Sequence, residues 1–307
     1  MHGKTSFISQ STQILGSNKR YILWFYLLNL AFAWSGASAF SRSAHRVLDH
    51  SLYADRLLHG FDLAVLVEMI VRPEFGPLES SERPALMFAL LFSLASLLLM
   101  PGVLLGFSSD HSISREEFFR SCGRNAWRFV RVCAIFALIA GIVTGVLLGI
   151  QGAVGKALDK SSNDDRLPDL VELGSLAFVF LLLTVIRIWF DLAETDVVLR
   201  DQAAVRKSIR WGFRTTRRNF FRLLGSYVLA AIVAMLILLA GIMLWHFLVP
   251  PDSVLGAFWV TQAVLALLLA SRFWQRAIAV AFYLRISTAP PTELSSIPIR
   301  LPAAPAP

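Results

Sequence analysis

The chain has 307 residues, 56% hydrophobic and only 16% charged, with a mean hydropathy of +0.61 and a formal net charge of +8. A soluble globular domain averages about 45–50% apolar and about 25% charged residues. This balance excludes an ordinary soluble domain, and 2 cysteines exclude a disulfide framework.

Crossing the hydrocarbon core takes about 20 mostly apolar residues in a helix. Six stretches meet that length: residues 21–40, 85–107, 130–150, 173–192, 223–248 and 254–273, the last with helical continuation to 285. Their apolar runs are continuous rather than alternating, which disfavours strands. Inside lipid the backbone must satisfy its own hydrogen bonds, so the expected fold is an all-α integral membrane protein. Residues 1–286 form one six-span transmembrane domain in this reading. The first stretch also resembles a secretory signal, with a basic start, an apolar run and Ala37-Ser38-Ala39 at its end. Cleavage there would leave five spans and an outer N-terminus; the long, aromatic apolar run favours a span. Residues 41–84 carry apolar side chains at helical spacing (Leu58, Phe61, Val65, Met69) and read as an outer amphipathic loop. The segment 151–172 is rich in Gly, Ser and Asp and reads as a flexible connection. The Pro-rich tail 287–307 reads as disordered.

Lys and Arg orient the spans. With the N-terminus inside, 21 of the 29 Lys and Arg fall on the inner side and 8 on the outer. The positive-inside rule counts these residues, so both termini are expected in the cytoplasm.

Much of the inner charge lies in "RKSIRWGFRTTRRNFFR", residues 206–222. Residues 118–129, "FFRSCGRNAWRF", align with residues 212–223 at an offset of about 94 positions. Phe119/Phe213, Arg120/Arg214, Arg124/Arg218, Asn125/Asn219 and Arg128/Arg222 are identical pairs. Two helical hairpins of one design, each turning through a basic-aromatic elbow, are expected, with chance similarity between two such elbows as the alternative. The elbows should lie at the inner interface, aromatics at headgroup depth and arginines in the polar layer. Arg120, Arg124, Arg128, Arg206, Arg210, Arg214, Arg218 and Arg222 are therefore candidate contacts for anionic lipid headgroups. Successive steps of four residues drift about 40° around a helix, so the second comb should break near residues 216–219.

Further side chains stand out. Arg187 and Asp191 are four apart and can pair on one helix face, with Glu194 three further on. Arg272 and Arg276 reach a similar depth in the last span, so a polar cluster of Arg187, Asp191, Glu194, Arg272 and Arg276 is expected at the cytoplasmic mouth. It reads either as a structural ion-pair network or as a gate or headgroup site. The ladder Ala137, Gly141, Gly145, Gly149 should admit a close helix neighbour, and Pro101-Gly102 should kink its helix. Cys122 and Cys133 read as small buried residues. Outside, His45, Asp49, His50, Asp55, His59 and Asp62 match no zinc spacing and read as helical ion pairs, so no metal is expected. His246 has no acidic neighbour in sequence. No hydrolase, phosphate-loop or dinucleotide motif occurs, and the basic excess follows topology rather than nucleic-acid binding.

The segment 186–229, "IRIWFDLAETDVVLRDQAAVRKSIRWGFRTTRRNFFRLLGSYVL", together with "LDHSLYADRLLHGFDLAVLVE" and "EEFFRSCGRNAWRF", resembles uncharacterised bacterial polytopic inner-membrane proteins. It is similar to the membrane-spanning domain of some glycerophosphodiester phosphodiesterases. The resemblance implies a six-span bacterial inner-membrane protein without an assigned activity; no soluble catalytic domain accompanies these segments, so no catalytic residue or cofactor carries over. The expected role is a non-catalytic scaffold or partner subunit that contacts anionic headgroups and, in one form, another membrane protein. The alternative is a small transporter or lipid-moving protein built around the polar cluster.

Overall fold

Long apolar runs with few internal breakers form long helices, and the computed structural model of the chain consists of them. It describes residues 7–48, 78–109, 111–161, 166–250 and 253–288, and within these the side chains of 39–48, 78–85, 155–161, 166–170, 172 and 288 are left aside. The helices are α1 (Phe7–Ser17), α2 (Lys19–Leu48), α3 (Leu78–Ser108), α4 (Arg115–Ser161), α5 (Arg166–Leu199), α6 (Val205–Arg218), α7 (Phe220–Leu248) and α8 (Val254–Thr288). Among the described residues five helical segments are long and apolar enough to cross a membrane: Leu86–Ser108, Arg115–Val154, Leu173–Leu199, Phe220–Leu248 and Val254–Ser287. The chain is thus an all-helical protein of multi-pass membrane type. The first expected span lies in α2, which is long enough but is not among the five. Asn29, Ser35, Gly36 and Ser38 dilute its apolar run.

Several expectations change. The segment 151–172 is largely helical: α4 runs on to Ser161 and α5 begins at Arg166. Ala, Leu, Lys and Val supply enough helix propensity there to carry the two glycines. Pro101, where a kink is expected, lies within α3, which continues to Ser108. At this point the carbonyls of Leu99 and Pro101 accept from Cys122 Sγ at 3.6 Å and Ser121 Oγ at 3.5 Å. Most of the loop 41–84, and all of its His/Asp set except His45, lies outside the described residues; His45 itself falls within α2, and the tail beyond 288 is likewise outside.

Helix α4 packs on α3 and α5, α7 on α8, and α6 along α5. Helix α1, which the sequence reading missed, lies against α8. Phe7 meets Phe282 edge-on at 6.0 Å, and Trp274 Nε1 donates to Ser11 Oγ at 3.0 Å. Burial is concentrated at one end of the bundle. Ala277, Ile278, Ala279, Val280, Ala281, Phe282 and Tyr283 are consecutive and all buried, so the last turns of α8 are enclosed on every side. Toward the other ends of α4, α5 and α7, Ile142, Val146, Leu173, Leu176, Met243 and Phe247 are exposed, as lipid-facing side chains are in the absence of lipid.

The glycine ladder of α4 packs against no helix. A Cβ built on Gly141, Gly145 or Gly149 meets nothing within 4 Å. Val132, Ile135, Phe136, Ile139 and Val143 form the row that packs toward α5. At about 100° per residue the glycine row lies on the opposite side of the helix.

Candidate functional site

The helix segment 187–201 places three carboxylates on the enclosed end of α5. Asp191, Glu194 and Asp196 are each about 2% exposed or less. Each finds a guanidinium and a hydroxyl or thiol. Arg187 Nε lies 3.0 Å from Asp191 Oδ1, one turn away on the same helix. Tyr227 of α7 donates its hydroxyl to Asp191 Oδ2 at 2.9 Å. Arg276 of α8 hydrogen-bonds Glu194 Oε2 and lies 3.8 Å from Asp191 Oδ1. Cys133 of α4 points its thiol at Glu194 Oε1, 3.8 Å away. Asp196 accepts from Tyr283 at 3.2 Å and pairs with Arg200 at 3.4 Å. The Arg187–Asp191 contact is an ion pair with poor hydrogen-bond angles, which leaves Asp191 Oδ1 without a well-aligned donor.

Arg187, Arg276, Asp191 and Glu194 therefore balance one another across α5 and α8, with Cys133 and Tyr227 tying in α4 and α7. Charges at this depth persist only when paired and hydrogen-bonded. Of the five expected members, the structure brings these four together and leaves Arg272 out. Arg272 is exposed and lines a cavity of about 420 Å³ beside Arg187 and Arg276. Sequence reading missed Asp196, whose Arg200 partner four residues on was a legible signal. It also missed Tyr227 and Cys133, whose contacts cross between helices.

The second elbow is an amphipathic helix. Val205, Ser208, Gly212 and Thr216 of α6 are buried at a helical spacing of three to four. Gly212 is what lets this face close on α5, because a Cβ there would lie 2.7 Å from the Trp189 carbonyl oxygen. Trp189 Nε1 in turn donates to the Ile209 carbonyl at 2.7 Å. On the far side Arg206, Lys207, Arg210, Arg214, Arg217 and Arg218 are exposed. None of them meets a carboxylate among the described residues. Phe213 at 50% and Phe221 at 86% exposure flank this charge, the composition of a membrane interface. Helix α6 ends at Arg218 and α7 begins at Phe220, so the break falls at Asn219, at the end of the expected window. Arg222 belongs to α7 and stacks over Phe7 at 5.1 Å.

The two copies share a local device. Asn125 Nδ2 donates to the Ser121 carbonyl and Asn219 Nδ2 to the Thr215 carbonyl, both at 3.2 Å. Their settings differ. Asn125 is fully buried inside the unbroken helix α4, so the first copy has no elbow of its own. Its arginines are also occupied: Arg120 pairs with Glu116 at 2.5 Å, and Arg124 and Arg128 reach Asp201 at 3.6 and 2.5 Å. Asp201 sits in the turn before α6 with φ 52, a left-handed conformation that Asp tolerates better than most residues.

His246 lies exposed near the end of α7 with its ring 4.9 Å from that of Phe247. No group of three or more potential metal ligands occurs among the described residues. Compared with protein-family models, curated proteins and solved structures, the chain gives no match.

Proposed function

We propose that this chain is a non-catalytic, multi-pass component of a bacterial inner membrane that holds anionic lipid headgroups on the arginine face of α6. In this reading α2 is a sixth span and both termini are cytoplasmic. The observation that carries it is the division of the arginines. Arg124 and Arg128 are tied to Asp201, whereas Arg206, Arg210, Arg214 and Arg218 face outward with no carboxylate among the described residues. A juxtamembrane basic residue near an anionic surface contributes on the order of 1 kcal/mol. Six such residues on one 14-residue helix are enough to enrich anionic lipid beside it. Helix α6 is also anchored to the rigid end of the bundle, so the face is presented in a fixed orientation. That suits a scaffold or a partner subunit.

The test is lipid selectivity of the full chain reconstituted in mixed vesicles. Energy transfer from its tryptophans to acceptor-labelled phosphatidylglycerol should exceed that to acceptor-labelled phosphatidylcholine at low salt. The excess should vanish near 1 M salt, where the Debye length falls to about 3 Å. Equal transfer to both lipids at low salt would contradict the reading.

A further inference from the structure

The cavity at Arg272 is separate from the α6 face and is built from other helices. It is lined by Phe25 of α2, by Phe92, Ser96 and Met100 of α3, and by Leu269 and Arg272 of α8. Its volume, about 420 Å³, lies within the range of small-molecule sites. Arg187 and Gln275 form one wall and also line a second cavity of about 750 Å³ on the other side, where Gly141 and Gly145 face it.

Three features define what the smaller cavity fits. First, its charge is unbalanced. Arg187 and Arg276 are matched by Asp191 and Glu194, but Arg272 has no carboxylate among the described residues, so the lining carries one surplus positive charge. Second, the Ser96 hydroxyl is buried and has no hydrogen-bond partner there. An unpaired hydroxyl in such a place is costly. Third, apart from Ser93 and Gln275 the remaining lining is Phe25, Phe92, Met100, Leu269 and Phe273, which suits hydrocarbon rather than a solvated ion. Depth agrees with this division. Arg272 lies about 18 residues, or ~27 Å of helix, beyond Val254, close to the inner edge of a ~30 Å core.

We infer that this cavity is a binding site for a singly anionic phospholipid of the inner leaflet. Its phosphate sits at Arg272 and Ser96, and one acyl chain lies along Phe92 and Leu269. The bound lipid supplies the countercharge that Arg272 lacks and fills space between α2, α3 and α8.

The full chain reconstituted in phosphatidylcholine vesicles, doped with phosphatidylglycerol carrying a photoreactive group within one acyl chain, tests this. Illumination should label peptides of α3 around Phe92–Met100 and of α8 around Leu269. Arg272→Gln should cut that labelling about tenfold, and Arg272→Lys should retain most of it. Neutralising the α6 arginines should leave it unchanged, which separates this site from the α6 face. Leu269→Trp, which fills the cavity without touching the charge, should also abolish labelling. Equal labelling by a phosphatidylcholine probe overturns the proposal. So does labelling that survives both Arg272→Gln and Leu269→Trp, or labelling confined to other helices.

Discussion

Glu194 and Arg276 show what a single side chain can be worth in this bundle. Both are nearly out of reach of solvent; removing Arg276 strips Glu194 of its guanidinium, and removing Glu194 leaves Arg276 only the longer contact to Asp191. Glu194→Gln and Arg276→Gln should therefore each lower stability by about 3–5 kcal/mol. The double replacement Glu194→Leu with Arg276→Met should recover most of that loss, because an apolar pair of similar volume needs no desolvation. Unfolding in detergent, read by circular dichroism, measures all three; strictly additive losses would refute the pairing. Part of this network was legible in the sequence. Arg187 and Asp191 declare themselves by their spacing on one helix, and depth-matching along α5 and α8 brought in Arg276. The same depth argument included Arg272 wrongly as a member of the network, because depth gives height along a helix and not the direction a side chain takes from it. Tyr227 and Cys133 were invisible for a related reason: only packing decides which hydroxyl or thiol of a neighbouring helix faces a carboxylate.

Helices were read well where hydropathy alone forms them, and less well where packing decides their role. The five strongly apolar spans coincide with expected ones, and α6 breaks from α7 at Asn219, at the end of the window that the drift of the arginine comb indicated. The glycine ladder of α4 misled, since small residues permit close approach but do not require it. On α4 the bulky row at Val132, Phe136 and Val143 makes the contact instead. A glycine that does matter to the placement of α6 was an inconspicuous one. Gly212 stands where α6 crosses α5, its missing Cβ only 2.7 Å from the Trp189 carbonyl oxygen. Gly212→Val should push α6 away, break the Trp189–Ile209 hydrogen bond and cost about 1–3 kcal/mol. Thermal melting and the tryptophan emission maximum together check this: a normal melt with unshifted emission would show that α6 is not seated on α5 as described. Asn125 and Asn219 make the same hydrogen bond, each to the carbonyl four residues back, but the first segment lies within the unbroken helix α4, with Arg124 and Arg128 paired to Asp201.

The molecule as a whole has a closed end and an open one. At the closed end the last turns of α8 are enclosed, the carboxylates of α5 are neutralised, and α1 and α6 pack against α8 and α5. At the open end the helices expose leucine, isoleucine and phenylalanine along their length. The proposed scaffold role rests on this arrangement, a charged cap on a bundle with apolar flanks. Arginines in such a cap also orient a membrane protein, and that alone explains their number. The proposed role asks more of the α6 arginines, that they bind headgroups. The direct test replaces Arg206, Arg210, Arg214, Arg217 and Arg218 with Gln, measures protease accessibility of tags at both termini, and measures phosphatidylglycerol selectivity on the same vesicles. In molecules whose termini keep the wild-type orientation, selectivity for phosphatidylglycerol should fall to the level of phosphatidylcholine. Undiminished selectivity in those molecules, with any change confined to orientation, would reduce the α6 face to a topology signal and rule out headgroup binding by its arginines.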